Sequence, residues 1–427
     1  MKPPMVLTFL FIVLLSTILI VPNTSIATVN SLKNLDTKTH ENHLIQGVSY
    51  VAQSERNFCV YACLTMILNY LGLNTSLHEL LFYSGVGYTH SYSISKRLPN
   101  ADIYRRFDFL YHVYGISGQS WWPPNTNLSN DERWEQYYTR IKENLTNDIP
   151  VVTRVDPFSL PSLRNQFKVN DDLWNILFPT GVHVILLIGY NDTNQTICYN
   201  DPNAGFYGDD YFGDHAWITI STFRQMQEKI NSYQFSTYKQ KNQPLSKTEA
   251  FNQAFQKNIE NLTGGIQPDK RYYGLAASQQ MHSDFSSAEN NSQETIRLYK
   301  DYGGNGVNIT LYMCMQKLCS MLNPRHPNVF DILLAGKISP FADIANVKRD
   351  VAEYLQNSTI QPSLCKNQST LLRNESLLWQ ELAQYYTIFL KKGIYLSDLQ
   401  AIHIIKDMEQ LMNDIIAIEE AIITQSS

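Results

Sequence analysis

The chain has 427 residues, which is long for one domain and suits two. Hydrophobic residues make up 44% of it, enough for a sizeable core and too many for a largely disordered protein. The net charge of −5 lacks the basic excess typical of a nucleic-acid-binding protein, and six cysteines are too few for a disulfide-built scaffold.

The first residues have the pattern of an export signal. An uncharged stretch over Pro3–Pro22 follows Lys2, and the triplet Ser25-Ile26-Ala27 suits cleavage by signal peptidase. We therefore expect a signal peptide over residues 1–27. An uncleaved N-terminal anchor is the alternative, because about 20 uncharged residues can span a bilayer. Both interpretations place the rest of the chain outside the cytoplasm, so we expect an extracellular or cell-surface protein.

Acceptor triplets for N-linked glycans agree with that compartment, and a modified site would lie at the surface. The triplet is short and the chain is rich in Asn, so many matches arise by chance. The triplets after the signal begin at Asn74, Asn127, Asn144, Asn191, Asn194, Asn261, Asn290, Asn308, Asn357, Asn367 and Asn374.

The segment Val51–Gly72 has a polar start and a nearly unbroken apolar continuation. Polar residues over Ser54–Asn57 give way at Cys59, and apolar residues then recur at three- and four-residue spacing up to Gly72. This pattern predicts a buried helix with Cys59 at its N-terminus, where backbone N–H groups and the helix dipole favour a thiolate. The alternative is an inert core cysteine, since free cysteines are among the most buried residue types.

Two strands further along predict a base and a carboxylate for this thiol. An apolar strand over Val184–Tyr190 and a second strand over Thr196–Asn200 flank a polar turn, which indicates a hairpin centred near Thr193. His183 would then lie opposite about residue 203, with Asp201 as its diagonal neighbour on the same face. A carboxylate there would fix the imidazole tautomer and stabilise the charged ring.

Each of these residues also has an ordinary explanation when it is taken alone. His183 would then only cap a core strand, and Asp201-Pro202 would begin a turn. Together with Cys59 they form a set suited to covalent catalysis, in which a base activates a nucleophile. Gln53 lies six residues before Cys59. Its amide and the Cys59 backbone N–H are therefore candidate donors to an oxyanion.

This order of residues resembles the bacteriocin-processing double-glycine peptidases (cysteine peptidase family 39), which have a papain-like fold. The resemblance covers about residues 46–227. It implies Cys59 as the nucleophile, His183 as general base and acid, Asp201 as the group that orients the imidazole and Gln53 as an oxyanion donor, with no metal or cofactor. Further segments similar to the family are Cys59–Gly72, Asp148–Val152 and Trp217–Phe223.

The implied function is an exported thiol hydrolase that cleaves peptide or amide bonds through an acyl-enzyme. Its partner would be a peptide or amide substrate, without nucleic acid, and with a membrane only through an uncleaved N-terminal segment. The family commonly has Asp-Cys-Gly at the nucleophile, whereas this chain has Phe58-Cys59-Val60, and the Val60 side chain would narrow the groove. A non-catalytic papain-like module that binds peptides is therefore one alternative.

An acyltransferase that uses the same triad is the second alternative. Arg271–Ala277 and Leu378–Phe389 faintly resemble the helical part of butirosin-biosynthesis-type acyltransferases. Those enzymes take acyl groups from cytoplasmic carrier proteins, and the export signal argues against that use here.

The expected fold class is α+β, with a papain-like domain over residues 28–235 and a mostly helical domain over 246–427. In the papain-like domain a helix would carry the Cys and an antiparallel sheet would carry the His and Asp. The polar, Pro-containing segment Ser236–Ser246 is interpreted as a linker, and the Asn- and Ser-rich Ser283–Gln293 as a loop. Helix starts are predicted at Ser246, Ser339-Pro340 and Ser397.

Three further features have weaker implications. His215 follows Asp214 and is interpreted as an exposed loop histidine rather than a site residue. The aromatic stretch Tyr104–Trp122 lines a substrate groove or packs over the central helix. Cys365 is expected to form a disulfide with Cys314 or Cys319, because these cysteines have no partners to complete a four-ligand metal site.

Overall fold

The computed structural model describes residues 41–54, 57–93, 98–101, 107–124, 127–160, 181–203, 213–266, 271–290, 339–392 and 397–426. The predicted signal peptide over residues 1–27 lies outside these ranges. Residues Glu41–Ser427 form one compact unit. No helix within the described ranges has both the length and the apolarity needed to cross a bilayer.

The described strands and helices are numbered in chain order. The strands are β1 (Asn42–Leu44), β2 (Ser91–Ser93), β3 (Leu98–Asn100), β4 (Ile116–Trp121), β5 (Val151–Val155), β6 (His183–Asn191), β7 (Thr196–Asn200), β8 (Ala216–Thr219), β9 (Phe235–Gln240), β10 (Gly265–Ile266) and β11 (Arg271–Tyr273). The α-helices are α1 (Cys59–Tyr70), α2 (Leu77–Ser84), α3 (Phe107–Tyr114), α4 (Asn130–Thr146), α5 (Ile220–Ile230), α6 (Lys247–Thr263), α7 (Leu275–Asn290), α8 (Pro340–Gln356), α9 (Pro362–Lys392) and α10 (Asp398–Thr424).

The main sheet is antiparallel and runs in the order β4-β9-β5-β6-β7-β8. Strand β6 is its centre: β5 pairs with residues 183–187 of β6, and β1 pairs with residues 189–191. Every residue of β6 except the last is buried. The unbroken apolar run in the sequence therefore corresponds to a strand that is covered on both faces.

The β6–β7 hairpin has the predicted register beside the site. Leu186 pairs with Asn200, which centres the hairpin on Thr193. Between Leu187 and Gly189 the register shifts by one residue at a β-bulge. Gly189 is required here, because a Cβ would lie 2.6 Å from the carbonyl oxygen of His43 in β1.

Helix α1 fills the space behind β6. Nine of its twelve residues are buried, and the Cys63 thiol reaches the Val184 carbonyl at 3.7 Å. Gly72 follows the helix with a φ of +81°, a left-handed conformation that glycine adopts readily. Phe107 of α3 stacks on Tyr61 of α1 at 5.3 Å.

The aromatic stretch Tyr104–Trp122 therefore packs over α1 at Phe107, which agrees with one of its two predicted roles. Tyr104 lies outside the described residues. Trp121 stacks on Phe235 at 5.4 Å, whereas the neighbouring Trp122 is 62% exposed.

The three predicted helix starts are confirmed. Ser246 and Ser339 accept hydrogen bonds from the backbone N–H three residues ahead, and Pro340 occupies the first turn of α8. Ser397 forms a complete capping box with Gln400. The predicted loop Ser283–Gln293 is wrong up to Asn290, because α7 continues through it. Its buried Phe285 supplies tertiary packing that outweighs the low helix propensity of Ser and Asn.

The predicted linker Ser236–Ser246 is also wrong in its first part. Residues 235–240 form β9, which lies inside the sheet between β4 and β5. Phe235 and Tyr238 are buried there, so packing contributed by a few residues outweighs the polar composition of the segment. The fold is α+β, as predicted, with an antiparallel sheet and a helical region.

A second sheet joins early and late parts of the chain. Its order is β10-β11-β2-β3, and Tyr272 of β11 pairs with Tyr92 of β2. Backbone hydrogen bonds therefore link residues on both sides of the predicted boundary. The division into domains at 28–235 and 246–427 stays a prediction.

A buried polar cluster lies where the late helices meet the earlier chain. Lys348 Nζ is 2.7 Å from Glu375 Oε1 and donates to the Gly87 carbonyl at 3.0 Å. The Trp379 indole N–H donates to the same Glu375 oxygen at 3.0 Å. Both charged side chains are at most 1% exposed, so each needs the other to offset the loss of hydration.

Replacement Lys348→Ala should destabilise the protein strongly, because it leaves the Glu375 carboxylate buried without its counter-ion. We expect a loss of about 3–5 kcal/mol in the free energy of unfolding, measured by urea denaturation. The control is Arg140→Ala, which breaks the exposed pair with Glu143 and should cost less than about 1 kcal/mol. Equal losses in the two variants would contradict the expectation.

Candidate active site

Cys59 is the first residue of α1, as the sequence predicts. The residue before it, Phe58, is the N-cap and makes no side-chain hydrogen bond to the first turn. The first N–H groups of a helix have no partner within the helix, so they point their partial positive charge toward the thiol end. Cys59 is a free thiol that is 7% exposed.

His183 and Asp201 come together at the open end of the β6–β7 hairpin. His183 Nε2 donates to Asp201 Oδ1 at 2.7 Å. The same carboxylate oxygen accepts from the Asn203 backbone N–H at 2.9 Å. His183 is 5% exposed and Asp201 is fully buried. Because Nε2 faces Asp201, Nδ1 is the ring nitrogen left for the Cys59 thiol, which lies near enough to the ring to raise the pKa of His183.

The charge of the imidazole is set by opposing effects. Burial of the ring is the largest single influence and lowers the pKa of His183. The Asp201 charge and hydrogen bond act in the other direction, joined by the Cys59 thiol, and together they raise this pKa to about 10. The site therefore holds an imidazolium next to sulfur, which is the arrangement that favours a thiolate.

The second cysteine of the helix is in a different environment. Burial raises the pKa of the Cys63 thiol well above its ordinary value, and the nearby Cys59 and Asp201 charges act in the same direction. Cys63 therefore remains a neutral core thiol one helical turn below Cys59.

Gln53 lies beside the turn that carries Asp201. Its backbone N–H donates to the Pro202 carbonyl at 2.7 Å, and the Tyr50 hydroxyl donates to the Asp201 carbonyl at 2.8 Å. The Gln53 side chain is 7% exposed. The segment that leads into the Cys59 helix is thus fixed to the Asp201 turn before it reaches the thiol.

The structure thus brings the four predicted site residues together: Cys59 on His183, His183 on Asp201, and Gln53 on the Asp201-Pro202 turn. Their catalytic roles stay predictions. His215 is exposed and its ring hydrogen-bonds to the adjacent Asp214 at 2.5 Å, as expected for a loop histidine.

The predicted disulfide at Cys365 is not formed. Cys365 is a buried free thiol whose Sγ contacts the Ile360 carbonyl at 3.0 Å. The thiol donates to this nearby carbonyl at the start of α9, so it has a hydrogen-bond partner without a disulfide. Its predicted partners, Cys314 and Cys319, lie outside the described residues.

Sequence reasoning missed the contacts that hold the loop before Cys59. Ser54 Oγ donates to Asp350 Oδ2 at 2.5 Å, and Asn57 Nδ2 donates to Asp343 Oδ2 at 3.3 Å. Both carboxylates come from α8, almost 300 residues further along the chain. The one local signal is that Asp350 falls among apolar residues on the buried stripe of α8.

The raised pKa predicts how the site discriminates between alkylating reagents. Iodoacetate carries a negative charge and iodoacetamide none, so the ratio of their rates at Cys59 reports the charge on His183. The ring is charged below its pKa of about 10 rather than below 6.5. We therefore expect a constant, high ratio through neutral pH and a roughly tenfold fall as the pH rises through about 10.

The control for this measurement is Asp201→Asn, which removes the negative charge that raises the pKa of His183. The fall in the rate ratio should then move to lower pH. A wild-type ratio that already falls near pH 6.5 would contradict an imidazolium stabilised by Asp201.

Comparison with known proteins is consistent with this geometry. Residues 45–221 match the Peptidase_C39 like family, a range that includes Gln53, Cys59, His183 and Asp201 and spans less than half of the chain. A search of curated proteins found no significant match. The range found from the residues alone, about 46–227, is nearly the same. The match therefore supports a C39-like cysteine peptidase domain over residues 45–221 of this chain.

Proposed function

We propose that the protein is an exported thiol hydrolase that cleaves peptide or amide bonds through Cys59, His183 and Asp201. The observation that carries the proposal is the hydrogen bond from the His183 ring to the buried Asp201 carboxylate, with the Cys59 thiol beside the same ring. The family match supports a cysteine hydrolase.

In the first half-reaction the Cys59 thiolate attacks the substrate carbonyl carbon and forms a tetrahedral oxyanion. The Cys59 backbone N–H at the start of α1 and the Gln53 amide donate to that oxyanion. His183 then gives its proton to the leaving amine, the carbon–nitrogen bond breaks, and a thioester on Cys59 remains.

In the second half-reaction His183 is neutral and accepts a proton from water as the water attacks the thioester. The carbon–sulfur bond breaks, the carboxylic acid leaves, and Cys59 regains its thiolate beside the imidazolium. Asp201 keeps the ring in one orientation and stabilises its charge in both halves. The bond cleaved, the water consumed and the two products balance without a cofactor.

The surroundings of the thiol favour a narrow substrate. Val60, the half-buried second residue of α1, replaces the small residue that the family commonly has after the nucleophile. A branched side chain at this position is expected to narrow the substrate groove. We therefore infer a substrate that is slim next to the cleaved bond, such as a peptide with small residues there.

Acylation by p-nitrophenyl acetate tests the nucleophile. We expect a burst of p-nitrophenolate equal to one per site, since acyl transfer to Cys59 precedes slower hydrolysis. Cys59→Ala should abolish the burst, and His183→Ala should slow it by about 10²–10⁴-fold. The matched control is Cys63→Ala, one turn deeper on the same helix, which should retain the burst.

Two further outcomes separate the alternatives. If added amines divert the acyl group into amide product at the expense of acid, the protein is an acyltransferase. If no burst forms and Cys59 reacts with iodoacetamide no faster than a free thiol, a non-catalytic peptide-binding module is correct. Mass spectrometry of a mixed peptide pool with wild type and Cys59→Ala would then identify the cleaved or bound sequences.

The export part of the proposal is supported by the N-terminal sequence pattern. Several asparagines of glycan acceptor triplets, among them Asn74, Asn127 and Asn194, are exposed. N-terminal sequencing of protein secreted by a eukaryotic host should give a mature start near Thr28. A membrane-bound product that begins at Met1 would contradict cleavage and support the N-terminal anchor.

A further inference from the structure

The loop between Gln53 and Cys59, of which the structure describes Ser54, Asn57 and Phe58, contacts a helix from the late part of the chain. Ser54 donates to Asp350 at 2.5 Å and Asn57 donates to Asp343 at 3.3 Å. The two carboxylates are seven residues apart, close to two helical turns, so they lie on the same face of α8. This face of α8 therefore hydrogen-bonds to the loop at two residues.

Asp350 is an unusual residue for such a contact, because its side chain is only 5% exposed. A buried carboxylate requires hydrogen-bond or charged partners. The shortest contact is the Ser54 hydroxyl; Arg349 Nε and His78 Nε2 are more distant, at 3.8 and 4.0 Å. Burial raises the pKa of Asp350, and the Ser54 hydrogen bond opposes that rise.

Helix α8 is itself fixed against the earlier chain. Lys348 bonds to the Gly87 carbonyl, and a Cβ on Gly87 would lie 2.9 Å from Val351 Cγ2. Tyr354 packs on the Phe82 ring at 5.1 Å. The close approach at Gly87 leaves α8 little freedom to slide, so Asp343 and Asp350 are presented to the loop at set positions.

The ends of the loop are fixed in their turn. Asn57 has a φ of +68°, a left-handed conformation that Asn adopts more readily than most residues other than Gly. Its side chain is held by the hydrogen bond to Asp343. The other end is fixed by the bond from Gln53 N–H to Pro202. Both ends of the loop are therefore determined by tertiary contacts.

We infer that Asp350 is a positioning residue of the active site: through Ser54 it sets the loop that places the Gln53 amide and the first N–H groups of α1 around the developing oxyanion. This inference rests on the proposed function. It gives helix α8 an indirect, positioning role in acyl chemistry.

Two reactions of Cys59 distinguish positioning from general support. Acylation by p-nitrophenyl acetate passes through an oxyanion, whereas alkylation by iodoacetamide displaces iodide and forms none. Asp350→Ala and Ser54→Ala should each slow acylation by about 10- to 100-fold, less than the 10²–10³ typical for loss of a donor itself. Alkylation should stay within about twofold of wild type, because the Cys59–His183 contact is intact.

A conservative variant, a double variant and a control make this test more specific. Asp350→Asn retains an oxygen that accepts from Ser54 and should recover most of the acylation rate. The double variant Ser54→Ala/Asp350→Ala should be no slower than either single variant, since both remove one contact. Glu353→Ala, an exposed acid one turn along α8, should behave as wild type.

Either of two results would overturn the inference. One is unchanged acylation in Asp350→Ala and Ser54→Ala, and the other is an equal fall in acylation and alkylation, which indicates a general structural role. If the wild-type protein gives no burst, the proposed function fails. Amide hydrogen exchange then tests whether Asp350 of α8 holds the loop before Cys59. Asp350→Ala must speed exchange over residues 50–58 while Glu353→Ala does not, and unchanged exchange would end the inference.

Discussion

The site depends on the 2.7 Å hydrogen bond between His183 Nε2 and Asp201 Oδ1. Either group alone would be unfavourable at this depth, since burial drives the imidazole toward its neutral form and a lone carboxylate loses its hydration. Together they keep a positive ring inside the protein, next to the Cys59 sulfur. The sheet, the central helix and the loop before it all serve to bring sulfur to the free face of this pair.

Much of this arrangement was predictable because it is encoded locally. The β6–β7 hairpin fixes His183 and Asp201 relative to each other through a turn of few residues, so alternation along two strands is enough to place both on one face. The start of α1 is similarly visible, because polar residues change to apolar ones at Cys59. The Cys59–His183 contact is long-range, and it was the order of the motifs in a family resemblance that indicated it.

What sequence reasoning missed is long-range or depends on a few packed side chains. Strand β9 looked like a linker because only Phe235 and Tyr238 reveal its burial. Strand β1 pairs with β6 beside the bulge at Gly189, and its residues lie more than 140 positions earlier in the chain. No sequence pattern links Ser54 to Asp350, so their hydrogen bond could not be predicted from the sequence. A single sequence reports periodicity well, but it does not report which distant surfaces meet.

The boundaries of the family match and of the structure that supports the site therefore differ. The match ends at residue 221, yet β9 lies inside the main sheet, so a chain cut there would separate β4 from β5. Strand β11 then completes the second sheet beside β2, and α8 holds the loop before Cys59. Each of these later segments pairs with, or hydrogen-bonds to, part of the matched region that would otherwise lack that partner. The folding unit that positions the thiol consequently extends at least to Asp350, far beyond the residues by which the family is recognised.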